Sequence, residues 1–515
     1  MKDRNELKAG TILSYIQMII GVVIGVVYTP IMIRLLGQSE YGLYNTATST
    51  ISLLSVLNLG FSSGYIKYYS KYKAENDNLG IAKLNGLFLI IFSILGLITL
   101  FCGLVLTNNL QYVFKTGLTP EEYSIAKILM LLLTLNLAIS FPMGVFAHII
   151  TAHERFVTLK LLGIGKSIVS PLITLPLLLL GYGSIAMVVV TVIVSLIVDI
   201  TYLFYTKVIL KQKFVFHDFE KGIFKNLFCY TSLIAINLIV DQINWNIDKI
   251  LLGRFQGTKS VAIYSVGYSI FSYYMMLSTS ISGVFTPRIH KVSNKAYGEL
   301  AQKRMFYGEI FIKVGRIQFL LLGLIFTGFL FFGKSFVDFW AGYGYQESYY
   351  VALLLMGAAS ISLVQTIGIE VQRAENQHWF RSLVYSVMAM FNLILSIFLC
   401  KYYGAVGSAI GTAVALLLAN GLVMNIYYQK QCNIDIITFW KNILRMSIGM
   451  IIPIVCGILM MRFIYIQSIW GLLGCVLIYA SIYTISMWFL GINQYEKNLI
   501  KKPLKKVFKK VKENE

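Results

Sequence analysis

Apolar residues recur along the chain in runs of about 20, parted by short polar stretches. A helix of that length matches the roughly 30 Å hydrocarbon core of a bilayer. The pattern predicts spans over 11–33, 43–66, 84–107, 124–150, 161–181, 184–206, 228–252, 260–286, 306–332, 348–370, 382–400, 405–428, 441–464 and 470–492. About fourteen transmembrane helices follow, with no polar stretch long enough for a soluble domain. The first run is too long for a signal-peptide core and no small-residue cleavage site follows it, so it reads as a retained span. The fold class is therefore all-α and polytopic.

Composition agrees: of 515 residues, 57% are hydrophobic and only 13% charged, the balance of an integral membrane protein. The formal net charge of +21 is gathered in the loops of one side. Lys67, Lys71, Lys73 and Lys83, then Lys207, Lys211, Lys213, Lys221 and Lys225, then Arg288, Lys291, Lys295, Lys303 and Arg304 fall there with both termini. The positive-inside rule makes that side cytoplasmic. Basic loops beside anionic phospholipids account for the charge without nucleic acid as a partner. In the tail, Leu504, Val507, Phe508 and Val511 share one face ringed by lysines, the pattern of an interfacial amphipathic helix.

The chain also repeats itself. The stretch 35-LLGQSEYGLYNTATS-49 resembles 251-LLGRFQGTKSVAIYSVGYS-269, with Tyr44 and Tyr264 opening the spans that follow. Further on, 152-AHERF-156 is answered by 374-AENQHWF-380, and 182-YGSIA-186 by 403-YGAVG-407. All these offsets are close to 220 residues, and a nearly constant offset through several landmarks marks an internal repeat. An even number of spans separates the copies, so the two halves are parallel repeats, an architecture of transporters with the substrate site between lobes. The expected domains are an N-lobe over 1–210, a cytoplasmic linker over 211–227, a C-lobe over 228–430, a terminal pair of spans over 431–492 and a basic tail over 493–515.

Candidate chemistry concentrates in 237-NLIVDQINWNIDKILLG-253. Asn237, Asp241, Asn244 and Asp248 follow i, i+4, i+7, i+11 spacing and make one polar stripe on a helix. An aspartate facing lipid near mid-membrane costs about 2.5–3.5 kcal/mol, so the stripe must face protein or a water-filled cavity. The first span carries Gln17, Gly21 and Tyr28 on one face and ends at Arg34; Lys249 stands almost at the equivalent place before the second LLG. Asp248 and Lys249 lie near the outer end of their helix, where they either line a cleft or pair at the interface. Thr48, Ser52, Ser55 and Ser62 add a hydroxyl face from the second span. Glu309, Lys313 and Arg316 have the spacing of an ion-pair ladder on one helix.

Other chemistry is absent from the pattern. The six cysteines form no C-x-x-C pair and read as packing residues. The histidines share no face with a third ligand, so no metal site is proposed. No phosphate-binding G-x-x-x-x-G-K-[ST] loop occurs. A membrane polymerase or glycosyltransferase would need a long outer loop or a cytoplasmic D-x-D domain, and neither is visible.

The stretch 34-RLLGQSEYGLY-44, its partner 248-DKILLGRF-255, the Y-G-x-x-[AG] signatures and the two six-span lobes with a terminal pair resemble the polysaccharide and oligosaccharide flippases of the MOP superfamily, of the Wzx type. The resemblance implies transfer of an undecaprenyl-pyrophosphate-linked oligosaccharide from the inner to the outer leaflet of the bacterial cytoplasmic membrane, by rocking of two lobes. It also implies that the terminal helices form a groove for the lipid tail, and it admits a glycan polymerase as partner. A multidrug exporter of the same superfamily is the alternative. Arg34 and Lys249 would hold pyrophosphate, with Asp248, Asn244, Ser52, Ser55, Tyr44 and Tyr264 as the remaining substrate contacts. Asp241, if desolvated, would carry a proton for coupling; Na⁺ or the membrane potential alone stay open as energy sources. No cofactor is expected.

Overall fold

In the computed structural model, residues 2–114, 118–219, 222–294, 300–375, 378–432, 434–499 and 501 are described, and their regular structure is entirely helical. The chain forms α1 (Lys2–Ser52), α2 (Phe61–Ala74), α3 (Asn78–Asn108), α4 (Leu110–Val113), α5 (Pro120–Ala152), α6 (Phe156–Leu179), α7 (Gly183–Phe204) and α8 (Ile223–Phe255). There follow α9 (Thr258–Asn294), α10 (Leu300–Trp340), α11 (Glu347–Leu363), α12 (Thr366–Ala374), α13 (His378–Leu416), α14 (Asn425–Lys430), α15 (Ile436–Ser447), α16 (Ile451–Phe463) and α17 (Ile469–Ser486). Among the described residues ten helical stretches are long and apolar enough to cross a membrane, or eleven when the bent pair α11 and α12 counts as one. Two of these, Ala9–Ala74 and Trp379–Lys430, each contain two expected spans, joined at kinks at Gly37 and Gly404. The eighth expected span lies in α9. The tail residues Leu504, Val507, Phe508 and Val511 lie outside the described residues.

The chain divides into two compact units, Met1–Ser265 with Ala389–Ser408, and Val266–Met388 with Ala409–Glu515. These units cut the chain at other places than the repeat does, since α8 packs in the first unit.

In the first unit Tyr65, Phe88, Phe92, Phe141, Phe146 and Leu227 build an aromatic core. The linker after α7 is strapped onto α3: Tyr65 Oη donates to Asn85 Oδ1 at 2.6 Å, Asn85 Nδ2 donates to the Lys213 carbonyl at 3.0 Å, and the Val215 amide donates to the Ala82 carbonyl at 3.0 Å. The second expected span is not one helix. After Ser52 the chain tightens into a 3₁₀ turn over Leu53–Asn58, passes through left-handed Leu59 (φ 47°) and Gly60 (φ 70°), and restarts at Phe61. A Cβ at Gly60 would lie 2.6 Å from Ile234 Cγ2, so α8 fills the break and only glycine fits it.

The two LLG motifs serve different ends. Gly37 turns the chain with φ 74°, whereas Gly253 lies within α8 and the corresponding turn is made four residues on by Gly257, φ 83°. That displacement explains why the repeat offset grows between the LLG motifs and Tyr44/Tyr264.

In the second unit α11 and α12 meet at a bend of 44°. Polar side chains gather at the bend: Ser278 Oγ donates to the freed Leu363 carbonyl at 3.0 Å, and Gln318 Nε2 ties the Thr366 hydroxyl at 2.6 Å to the Ser278 carbonyl of α9 at 3.2 Å. Two residues earlier on α10, Arg316 departs from the expected ladder. Lys313 does pair with Glu309, but Arg316 is buried and clamps Glu496 through Nε at 2.6 Å and Nη2 at 3.0 Å, while also donating to the Gly491 and Asn442 carbonyls. Its length lets it satisfy carbonyls freed where the last span unwinds into a π-turn, Met487–Gly491. Asp435 caps α15, accepting from the Thr438 hydroxyl at 2.6 Å and amide at 2.9 Å, which hold its carboxyl below the usual range.

Candidate functional site

The polar stripe of α8 changes character along its length. Asp241 is exposed, Asn237 and Asn244 are half-buried, and Asp248 is fully enclosed. Each carboxylate oxygen of Asp248 accepts a hydroxyl: Tyr264 Oη reaches Oδ2 at 2.7 Å and Ser408 Oγ reaches Oδ1 at 2.7 Å. Charge-assisted bonds of this kind offset the loss of water around a buried carboxylate. Tyr264, itself buried, therefore holds Asp248, and the two belong to one cluster. Ser408 lies one residue beyond the 403-YGAVG-407 signature and was not singled out by the sequence reading.

Lys249 follows Asp248 directly and is half-buried, and Arg34 on α1 is exposed. Tyr44 packs against the apolar cluster of Leu43, Leu129, Met130 and Val188. Ser52 and Ser55 are half-buried, and their hydroxyls donate to the carbonyls of Ser49 at 2.9 Å and Ser52 at 2.7 Å. Their oxygens retain acceptor capacity only.

The residues just after the Gly37 turn make connections that spacing alone could not reveal. Glu40 Oε1 accepts from the Ser184 amide at 2.6 Å and the Ser184 hydroxyl at 2.7 Å. The E-Y-G of one signature and the Y-G-S of another are thus bonded parts of one structure. Ser39 donates to Glu122 Oε1, which also accepts from Thr258 Oγ1 at 2.8 Å, and the two hydroxyls lie 2.9 Å apart. Glu122 is held in a capping box with Thr119 at the start of α5. In the second repeat Gln256 Nε2 ties its loop to the Lys401 carbonyl at 2.9 Å.

The second unit contains a cavity of about 400 Å³ whose walls include Phe319, Leu322, Phe326, Ile361, Trp440 and Ile454. Among the polar groups of this mostly apolar lining, Tyr274 Oη and Ser360 Oγ are 2.7 Å apart. Such a chamber suits a hydrocarbon chain better than a sugar.

These elements define an all-α polytopic membrane protein with the MOP-type transporter fold. The structure is similar to that of the lipid II flippase MurJ in an inward closed conformation, with TM-score 0.68 and 17% identity over 95% of this chain and 99% of that one. It is also similar to an inward-facing MATE family multidrug resistance transporter of the MOP superfamily, with TM-score 0.58 and 15% identity over 82% and 99%. A third likeness, with TM-score 0.57 and 14% identity over 83% and 97%, is to a MOP superfamily transporter from Pyrococcus furiosus described as having a binding pocket of reversed polarity. The chain belongs to the polysaccharide biosynthesis protein family, whose pattern it matches over residues 7–293. No curated protein matches it.

Proposed function

We propose that the chain flips an undecaprenyl-pyrophosphate-linked oligosaccharide from the inner to the outer leaflet of the bacterial cytoplasmic membrane, with both termini cytoplasmic. The observation that carries this reading is Lys249, a half-buried cation on α8 directly after the enclosed Asp248, which is itself held by two hydroxyls. A pyrophosphate cannot cross hydrocarbon alone, because an isolated buried charge costs tens of kcal/mol in the Born limit. Arg34 offers a planar fork for phosphate oxygens and Lys249 a point charge, while Asn244, Ser52 and Ser55 suit sugar hydroxyls. Asp248, held by Tyr264 and Ser408, anchors this part of α8 to its neighbours. The apolar cavity beside Trp440 supports a site for the polyprenyl tail, and the lysine-rich loops sit against anionic phospholipid.

Asp241 is the exposed carboxylate of the stripe, so the desolvation that proton coupling would draw on is not met here, and a coupling role rests on its access to ions alone. It is also the feature that favours a second reading, a multidrug exporter, because an exposed carboxylate attracts cationic drugs. Complementation of a flippase-null strain, scored by surface glycan at equal protein level, tests both. Arg34→Ala and Lys249→Ala should each lower surface glycan on the order of tenfold, the loss of about 1.4 kcal/mol. Asp241→Asn should leave slow export that no longer responds to a proton gradient. Wild-type chain that restores no glycan but exports a cationic dye overturns the flippase in favour of the exporter.

A further inference from the structure

We propose that Ser39, Glu122 and Thr258 are a latch that holds the outer end of this transporter shut and parts once in each transport cycle. The proposal rests on the topology given above, which puts the turns at Gly37 and Gly257 on the outer side. Three segments far apart in sequence meet here at a single carboxylate oxygen, Glu122 Oε1, which accepts the hydroxyls of Ser39 and Thr258. The other oxygen, Oε2, accepts the Thr119 amide at 2.8 Å, so the carboxylate is aimed by its own helix start rather than by the segments it joins.

The partners divide along the repeat. Ser39 and Glu122 belong to the first copy, and Glu40 fastens the same turn to α7 through Ser184, so α1, α5 and α7 form one frame at this end. Thr258 alone comes from the second copy, directly after the Gly257 turn. The frame and the second copy also approach closely: a Cβ at Gly42 would lie 1.9 Å from the Thr258 carbonyl oxygen, and one at Gly253 would lie 2.9 Å from Thr46 Cγ2. Nearby, Arg254 Nη1 donates to the Tyr112 carbonyl at 3.2 Å. The seam is closed by close approach at two glycines and fastened by the Thr258 hydroxyl, which bonds Glu122 and lies against the Ser39 hydroxyl. Such hydroxyls find water as readily as they find Glu122 once the seam opens, whereas a buried ion pair would have to be pulled apart. The joint is built to part.

The test is a double variant, Ser39→Cys with Thr258→Cys, in cells where this chain is the sole flippase. Copper–phenanthroline should join the two thiols, and newly exposed surface glycan should fall at least tenfold until dithiothreitol restores it. Each single variant, treated the same way, should respond to neither reagent. A cross-linked protein that exports at the rate of its reduced form overturns the latch, and so does a pair that never cross-links. Absence of surface glycan from the wild-type chain instead defeats the flippase reading. If the double variant fails to reach the membrane, Gly42→Ala serves: wedged against Thr258, it should speed labelling of Thr258→Cys by an impermeant maleimide at least threefold, and an unchanged rate overturns the proposal.

Discussion

Two of the helix interruptions in this protein, one in each compact unit, are mended by opposite means. Between α1 and α2 the chain gives up a side chain: Gly60 lets Ile234 of α8 press into the break. Between α11 and α12 the backbone keeps ordinary residues and long polar side chains are brought to it, Gln318 and Ser278, both fully buried. Hydrocarbon supplies no hydrogen bonds, so irregular backbone at membrane depth persists only where protein or water satisfies it. The first solution is apolar and steric; the second is polar and directional. The second unit brings a polar side chain to its final unwound turn as well, where Arg316 donates to the Gly491 carbonyl.

The comparison breaks most severely at the Arg316–Glu496 clamp. Glu496→Ala leaves a buried guanidinium without its carboxylate, and removal of one partner of a buried pair costs about 3–5 kcal/mol. The thermal unfolding midpoint in detergent should fall accordingly, and Arg316→Leu combined with Glu496→Leu should recover most of the loss. A double variant no better than the single one would mean that the carbonyl contacts, not the ion pair, hold the last span.

At the steric break, Gly60→Val must place a β-branched residue at positive φ and against Ile234. Left-handed backbone costs a residue about 1–2 kcal/mol and overpacking about 1–3 kcal/mol, so the expected loss in the same unfolding assay is about 2–5 kcal/mol. The companion change Ile234→Ala should relieve the packing part and leave the backbone part. Equal losses with and without Ile234→Ala would show that α8 does not fill the break.

The contrast also explains what the sequence could disclose. The fourteen expected spans are largely helical, the second and the tenth broken, because apolar length is a strong local signal. The break at Gly60 left a trace in 58-NLG-60, where glycine follows asparagine and leucine, although the apolar run hid it. The bend at Val364–Gln365 left almost none, since 360-SISLVQT-366 holds neither glycine nor proline and its partners stand on α9 and α10. For the site, spacing placed Asp241, Asn244 and Asp248 on one face, but could not say that Asp248 is sealed by Ser408, 160 residues away. Arg316 looked like one rung of a surface ladder because its partner Glu496 lies 180 residues on. Helical periodicity reports neighbours within a turn or two, and these contacts are fixed only by tertiary packing.

The smallest effect is the most discriminating. Ser278→Ala removes the hydroxyl that donates to the Leu363 carbonyl and accepts from Gln318 at 3.2 Å. Gln318 still reaches Thr366 Oγ1 and the Ser278 carbonyl, so no buried donor is abandoned. Hydrogen bonds between membrane helices average about 0.6 kcal/mol because the reference state finds partners of its own, and a loss of about that size is expected in detergent unfolding. Gln318→Leu should cost about 1–3 kcal/mol, because Thr366 and the Ser278 carbonyl then lose their donor. If the two sites mend one bend, the double variant should fall short of the sum by at least about 0.5 kcal/mol, the coupling expected of residues in one network. Strict additivity would mean that Ser278 and Gln318 satisfy the backbone independently, and that the polar mend is two separate bonds rather than one network.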